Sequence, residues 1–426
     1  MIRKPELPDF NFPECFNTSY DYLYYLVIQG LNNKYQGNAE KVILQSELEL
    51  EVIKKSGYVD YFLIIADIIS WAKEQDIPVG LGRGSAPASL VVYALGITSI
   101  DPVKYGLIFE RFFNLEDSII PDIDIDISSH GRKHIVNYVI DKYGKNHVGQ
   151  ILFNGVAKDG RKYTCISPAG FVISKNNLET YGPVYNDPKT DIPVIKYDRH
   201  EIKKYELVNF DYLGLKTLDE IRSNEISIRK CGGQWADFSI NDIPLDDLTT
   251  YNLFSEGNTD GVFQFESEFM RHVLRQVEPD CFEHLTIIYA LCHPDLMATL
   301  FEYIERRHGR KPIEYPHSCF KDILEETYGL IVFQEQFIKI IQRISGCTLG
   351  ESCVLWRCMK MDGNIKDLAK EKEHFIINAV ICGINESDAA YIFDHLASIS
   401  RYMFLKSHAV CYTLLAYQTA YLKTIS

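Results

Sequence analysis

Residues 119–127 read Ile-Ile-Pro-Asp-Ile-Asp-Ile-Asp-Ile, a strict alternation of carboxylate and β-branched residue that starts after Pro121. A period of two is the strand period, so this segment is expected to carry Asp122, Asp124 and Asp126 on one face and Ile123, Ile125 and Ile127 on the other. Three carboxylates in a row repel one another unless cations sit between them, and hard oxygen donors of this kind suit Mg²⁺. Two such ions can clamp the attacking and leaving oxygens of a phosphoryl transfer. A solvated outer strand face or a calcium loop would use the same residues, and the motif alone leaves that alternative open. Pro121 and the all-isoleucine face weigh against a loop.

Upstream, Tyr61, Phe62, Ile65, Ile68, Ile69 and Ala72 recur at helical spacing and predict an amphipathic helix over 61–72, with Pro78 beyond its end. Val79 then leads into GLGRGSAPASLVVYALG, a glycine-rich turn running into a helix, with Ser85 the expected N-cap and Pro87 tolerated in the first turn. Backbone N–H groups at a helix N-terminus, approached through small residues, make a site for a polyphosphate. The stretch lacks the Lys-Ser/Thr ending of a P-loop and the full dinucleotide fingerprint, so an ordinary tight turn stays the alternative.

Downstream, Gly131 and Arg132 open a helix expected to run through Tyr143. Glycines, prolines and short apolar runs between Gly144 and Tyr205 predict strands and turns, and from Leu215 the pattern is mainly helical. The expected fold class is α+β, a mixed β-sheet domain followed by a mainly helical one, with the boundary near residue 222.

The chain has 426 residues, 46% hydrophobic and 24% charged, which is ordinary globular usage and excludes disordered and collagen-like classes. The charged start Met1-Ile2-Arg3-Lys4-Pro5-Glu6 and the lack of any apolar run of roughly 18 residues lead to the expectation of a soluble, cytoplasmic protein without a membrane partner. The 11 cysteines form no CxxC pair, and Cys292, Cys347, Cys382 and Cys411 have apolar neighbours, so reduced core thiols are expected rather than zinc ligands or disulfides. A net charge of −14 opposes indiscriminate attraction to polyanions. Nucleic-acid binding would then need local basic clusters, such as Arg306 to Lys311, Lys203-Lys204, or Lys366, Lys370 and Lys372, each of which can equally be a solvated helix face.

GLGRGSAPASLVVYALGITSIDPVKYGLIFERFFN (80–114) followed by PDIDID (121–126) resembles the palm of the bacterial replicative DNA polymerase III alpha subunits, the C family. Further segments match in family order: NFDYLGLKTLDEI (209–221), DGVFQFES (260–267), ERRHGRKPIEYP (305–316), EETYGLIVFQEQ (325–336) and KSHAVCYTLLAYQTAYLK (406–423). The resemblance implies a nucleotidyltransferase-type palm over 1–222, with a phosphate loop at 80–89, an aspartate strand at 119–127 and a third-carboxylate strand at 206–214, and helical fingers over 223–426. It implies that Asp122 and Asp124 are paired metal ligands, with Asp211 the third catalytic carboxylate and Asp126 accessory. Arg83, Gly84 and Ser85 fall in the element that holds the nucleotide's phosphates, and Arg111 matches the arginine that reaches the incoming nucleotide. Arg357, Lys406, Ser407 and His408 match fingers positions near the triphosphate or template. The implied chemistry is attack of a primer 3′-hydroxyl on the α-phosphate of a dNTP, with primer-template DNA as partner, two Mg²⁺ ions as cofactors and Mn²⁺ as a possible substitute.

This chain also departs from the family pattern. Asn209 stands where the family has lysine, Trp356 replaces the arginine beside Arg357, Met361-Asp362 replace lysines, and ALCHPDL has His293 for arginine and Asp295 for glycine. Only residues 156–166 join QILFNG (150–155) to SPAGFVIS (167–174), where family members insert a thumb, and no phosphoesterase domain precedes Leu7-Pro8. Those features lead to the expectation of low intrinsic processivity and of an accessory replication protein, a clamp or thumb-like subunit, docking near 156–166 or the C-terminal helix that ends at Ser426. An untemplated or short-primer nucleotidyltransferase is a second reading, and a non-catalytic primer-template or replisome binding module a third. Three aspartates kept despite their mutual repulsion argue against the third.

Overall fold

Six strands form one sheet in the order β1 (Asp124–Ser128), β6 (Asn209–Leu215), β3 (Lys162–Ile173), β2 (Val148–Val156), β5 (Pro193–Asp198) and β4 (Val184–Asn186). β1 and β6 run parallel, as do β2 and β5, whereas β6–β3, β3–β2 and β5–β4 are antiparallel, so the sheet is mixed. This computed structural model describes residues 4–36, 40–116, 121–157, 159–360 and 365–425, with the side chains of 365–367 excepted. Ile119 and Ile120 of the expected strand, Lys158, Met361, Asp362, Ser426 and the Lys366 side chain lie outside the described residues.

The chain divides into two compact units: residues 1–103 with 120–226, and residues 104–119 with 227–426. The segment carrying Arg111, residues 104–116, packs with the second unit. Ile108 is buried there with Ile338 and Cys353, Asn114 Nδ2 donates to Gly350 O at 3.0 Å, and Lys339 Nζ donates to Gly106 O at 3.0 Å.

In the first unit the alternation of the strands decides the layers. Phe210 and Tyr212 of β6 are buried, and both rings stack on Phe171 of β3, at 5.6 and 5.4 Å between centroids. Tyr61, from the helix Val59–Glu74, packs on Phe210 at 5.4 Å, and its hydroxyl accepts from Ile123 N–H at 3.2 Å. Trp71 of the same helix stacks at 4.3 Å on Tyr138 of the helix Arg132–Tyr143. With this face filled by aromatics and by Ile123, Ile125 and Ile127, the period of two turns Asp124 and Asp211 to the other.

β1 is shorter than expected, because regular pairing begins at Asp124, and Asp122 precedes the strand as an exposed residue between buried Pro121 and Ile123. Residues 156–166 differ more. Val156 still pairs with Lys162, and Leu152 with Ile166, so most of this connection is the outer half of a continuous β2–β3 hairpin. Phe153, Val156 and Tyr163 are exposed on it.

The second unit is helical around one large core that includes Phe254, Phe265, Tyr303, Phe333, Trp356 and Tyr417. Arg306, expected in a basic surface cluster, is instead buried, donating to Glu314 O and Tyr328 O at 3.0 and 2.9 Å and pairing with Glu302. Cys411 is buried and Cys292 and Cys347 partly so, but Cys382 is exposed at the open end of the helix Ile365–Ile381; every cysteine is a free thiol. Among the described residues, no helix is long and apolar enough to cross a membrane.

Candidate active site

Asp124 and Asp211 are direct register partners on the parallel pair β1–β6. Nothing in sequence spacing unites two residues so far apart; the sheet does. Asp122, Asp124 and Asp211 are close enough that burial first, then Asp122 and Asp211, push the Asp124 carboxyl up to about 7. Asp211 is raised as well, by burial first, against the pull of Arg199. Asp124 Oδ1 is buried with no hydrogen-bond partner among the described residues. A buried, unsatisfied carboxylate oxygen is expensive, and a hard divalent cation would satisfy it. The donor set therefore fits Mg²⁺ or Mn²⁺.

Asp126, further along β1, is buried and accepts from Arg83 Nη1 at 2.9 Å. The chain just before the glycine loop makes that contact possible by pairing along β1: Val79 bridges Ile127, and Gly80 N–H donates to Asp126 O at 2.8 Å. A Cβ at Gly80 would lie 2.9 Å from Asp126 Cβ, so only glycine allows the approach. Gly84 turns with φ +62°, and a Cβ there would come within 3.8 Å of Asp124 Oδ2, which sets the loop backbone beside the carboxylates.

The expected cap at Ser85 is not formed. Ser85 precedes a short 3₁₀ turn, Ala86–Ala88, and its side chain caps nothing; the helix starts at Leu90, with Ser89 Oγ accepting from Val92 N–H. Pro87 lies inside that turn, which delays the helix by four residues. The helix N–H groups are not free for a phosphate either. Buried Glu49 accepts from Leu90 N–H and Val91 N–H, each at 3.1 Å, and from Ser89 Oγ at 2.6 Å. Any phosphate contact by Gly84 and Ser85 must therefore come from the loop, not from the helix end.

Arg199 was not legible as a site residue. It opens a four-residue helix after β5 and pairs with Asp122, with its Nη1 3.5 Å from Asp211 Oδ2. Asn209 Nδ2 donates to the same Asp211 oxygen at 3.2 Å. The cation that the resemblance leads one to expect at 209 thus reaches these carboxylates from another element. A cleft of about 410 Å³ is lined by Arg83, Asp124, Phe153, Arg199, Asn209 and Asp211, so the base of the hairpin walls the same space as the carboxylates.

The remaining expected residues belong to the second unit. Arg111 donates from Nε to Gln334 Oε1 at 2.7 Å and lies 5.0 Å over the Trp356 ring. Trp356, read from sequence as the loss of a charge, is a buried platform whose indole N–H donates to Ser400 O at 3.2 Å. Burial lowers Arg111, and burial followed by Arg111 pushes Arg357 down to about 10. Lys360 is lowered by burial, then by Arg111 and Arg357. Arg111 thus acts on both Arg357 and Lys360, which places three cations near one another. Lys406 Nζ pairs with Glu326 at 2.7 Å, and buried Glu335 accepts from the backbone N–H groups of Lys406 and Ser407 at 2.9 and 3.2 Å. His408 stacks at 4.2 Å with Tyr412 and touches Tyr289 and Phe404. Ser407 is thus held by Glu335 at the start of the helix Lys406–Ile425, and His408 packs among aromatic rings.

Among the described residues, one other cluster has ligand chemistry. Asp280, Cys281 and His284 bring ligating atoms within 4.8 Å of one another. Arg307 Nη1, however, lies 2.9 and 2.8 Å from the two His284 ring nitrogens, where it opposes a second cation.

Comparison with known proteins finds two family models along the chain, the first of which runs through 104–119. The family described as "Bacterial DNA polymerase III alpha NTPase domain" matches residues 21–161 and 152–214, overlapping at the hairpin, and "Bacterial DNA polymerase III alpha subunit finger domain" matches 217–381. DNA polymerase III subunit alpha of Treponema pallidum is 36% identical over 98% of this chain and 41% of its own length. The proteins of the same name from Borreliella burgdorferi and Aquifex aeolicus are 37% and 33% identical, over 98% of this chain and 42% and 44% of their own lengths. The chain thus spans less than half the length of these curated relatives, and over the part it spans it belongs to the bacterial DNA polymerase III alpha family.

Proposed function

We propose that the chain is a DNA-directed DNA polymerase body, adding dNMP from a dNTP to a primer 3′-hydroxyl and releasing pyrophosphate. The observation that carries this reading is the register of Asp124 against Asp211, with Asp122 beside them and a cleft in front. Asp122, Asp124 and Asp211 hold the divalent cations, which when bound lower the pKa of the primer hydroxyl and offset charge on the triphosphate. Asp124 supplies a buried oxygen with no internal claim on it. Arg83 holds Asp126 back from the cluster, so the accessory carboxylate is neutralised within the protein. Arg111, fixed between Gln334 and Trp356, keeps a planar guanidinium in one orientation, and with Arg357 and Lys360 it gathers positive charge suited to a triphosphate.

The test is extension of primed DNA with four dNTPs and Mg²⁺, resolved at single-nucleotide length, for wild type, D122N and D211N. Each variant is expected to lower turnover by at least about 10³, some 4 kcal/mol of barrier. Near-full activity in either, or extension that survives chelation, would sink the assignment. A second reading, short-primer or untemplated transfer, is favoured by the hairpin at 148–173, which leaves little to enclose a long duplex; the same gel without template separates the two. On either reading the isolated chain is distributive, adding few nucleotides per encounter under a heparin trap, and an accessory replication protein near the hairpin restores long products.

A further inference from the structure

Arg199 belongs to no motif, yet it sits on two of the three carboxylates proposed to bind metal. Its own helix does not need it there. Asp198 and Glu201 form a capping box that fixes Arg199–Ile202 through backbone N–H groups, leaving the guanidinium free of any structural task in that turn. What it does instead is electrostatic. Among the described residues, Asp122, Asp124, Asp126 and Asp211 meet Arg83, which is engaged with Asp126, and Arg199, which joins Asp122 to Asp211, while Arg132 feels the Asp211 charge from beside β6. The Arg199 side chain is 41% exposed, so its guanidinium can turn towards solvent at the cost of its ion pairs and of the packing of its covered stem. A guanidinium seated between Asp122 and Asp211 takes the place, and offsets the charge, that a divalent cation bridging them would use.

We propose that Arg199 is the resident counter-ion of this carboxylate cluster, that it competes with the divalent cation for Asp122 and Asp211, and that it thereby sets the cation affinity of the site. The inference rests on reading Asp122, Asp124 and Asp211 as metal ligands. It explains how this chain tolerates a neutral Asn209 beside Asp211: the offsetting charge is delivered by a movable side chain from β5's far end.

The experiment is Mn²⁺ uptake by the full chain after EDTA stripping, read from the free Mn²⁺ EPR signal, for wild type, R199M, R199K and D211N. R199M is expected to bind Mn²⁺ roughly 3- to 30-fold more tightly than wild type, the ratio set by removing two partly exposed ion pairs. R199K should fall between them, since a point charge cannot bridge two carboxylates as a planar fork does. D211N should lose the saturable uptake. A thermal melt without metal checks folding, and R199Q carries the same comparison if R199M is unfolded. Uptake that D211N abolishes but R199M leaves unchanged or weakens would overturn the competition while the metal reading stands. If neither wild type nor R199M takes up Mn²⁺, both fall.

Discussion

Asp124 and Asp211 face each other across the parallel pair β1–β6, each backed by aromatic or isoleucine neighbours that pin its strand. The sheet holds the two carboxylates together whether or not a cation is between them. Folding therefore pays for their repulsion. D124N should stabilise the metal-free protein by about 0.5–2 kcal/mol, measured as a rise in melting temperature in EDTA. The Asp124 carboxyl titrates near 7 in the folded chain, above its ordinary value of 3.8. Its contribution is thus fully present below about pH 4 and lost as pH rises through about 7. The gain from D124N should accordingly be larger at pH 8 than at pH 5, and a gain independent of pH would contradict the assignment.

Glu49 is buried beneath the start of the helix Leu90–Ala94 and takes two of its N–H groups and the Ser89 hydroxyl. Removing it leaves those donors unsatisfied. E49A is expected to cost about 2–4 kcal/mol in urea denaturation, and E49Q less, because an amide oxygen can still accept. Equal losses would mean that the site needs the charge rather than the acceptor.

For the nucleotide, S85A should weaken apparent dNTP affinity only slightly, since the Ser85 side chain makes no cap and the loop backbone is unchanged. R111A should weaken it far more, by about tenfold or above, because no neighbour can replace a guanidinium held by Gln334 and Trp356. Steady-state titration with each dNTP decides, and the order of the two effects is the claim.

His284, packed against Arg307 and Tyr328, is held below its ordinary pKa by burial first and then by Arg307. A depressed folded pKa gives stability above about 6.5 that is lost as pH falls through the lower folded value. Melting temperatures from pH 8 to 5 should therefore fall more steeply for wild type than for H284Q. Parallel curves would show that the ring takes up its proton alike in the folded and unfolded chain, against a depression by folding.

The aspartate strand and the helix under it were legible because each follows a simple period: Ile123, Ile125 and Ile127 are buried as alternation requires, and Val59–Glu74 contains the expected helix. The parts that sequence misjudged depend on contacts between distant elements. Ser85 gave way to Ser89 because a turn containing Pro87 comes first, which composition alone does not order. Glu49 lies between Glu47 and Glu51 in the helix Glu40–Ser56, and only the close packing of Leu90 over it makes it a cap. Arg199 reaches Asp122 through sheet order, and Trp356 finds Arg111 by packing within the second unit. Neither partner is close in sequence.

The β2–β3 hairpin has a consequence for how this architecture can vary. Its two strands are fixed at their inner ends, Val148 against Ile173 and Gln150 against Phe171, while β6 pairs with β3 only at Gly170, Phe171 and Val172. Everything beyond Leu152 and Ile166 can therefore lengthen, shorten or be exchanged for a whole subdomain without moving Asp211. The entropic penalty for closing a longer loop grows only slowly with its length. The hairpin tip is thus a graft point: the fold can exchange what it carries there while the Asp124–Asp211 pairing, beyond β3, stays in register.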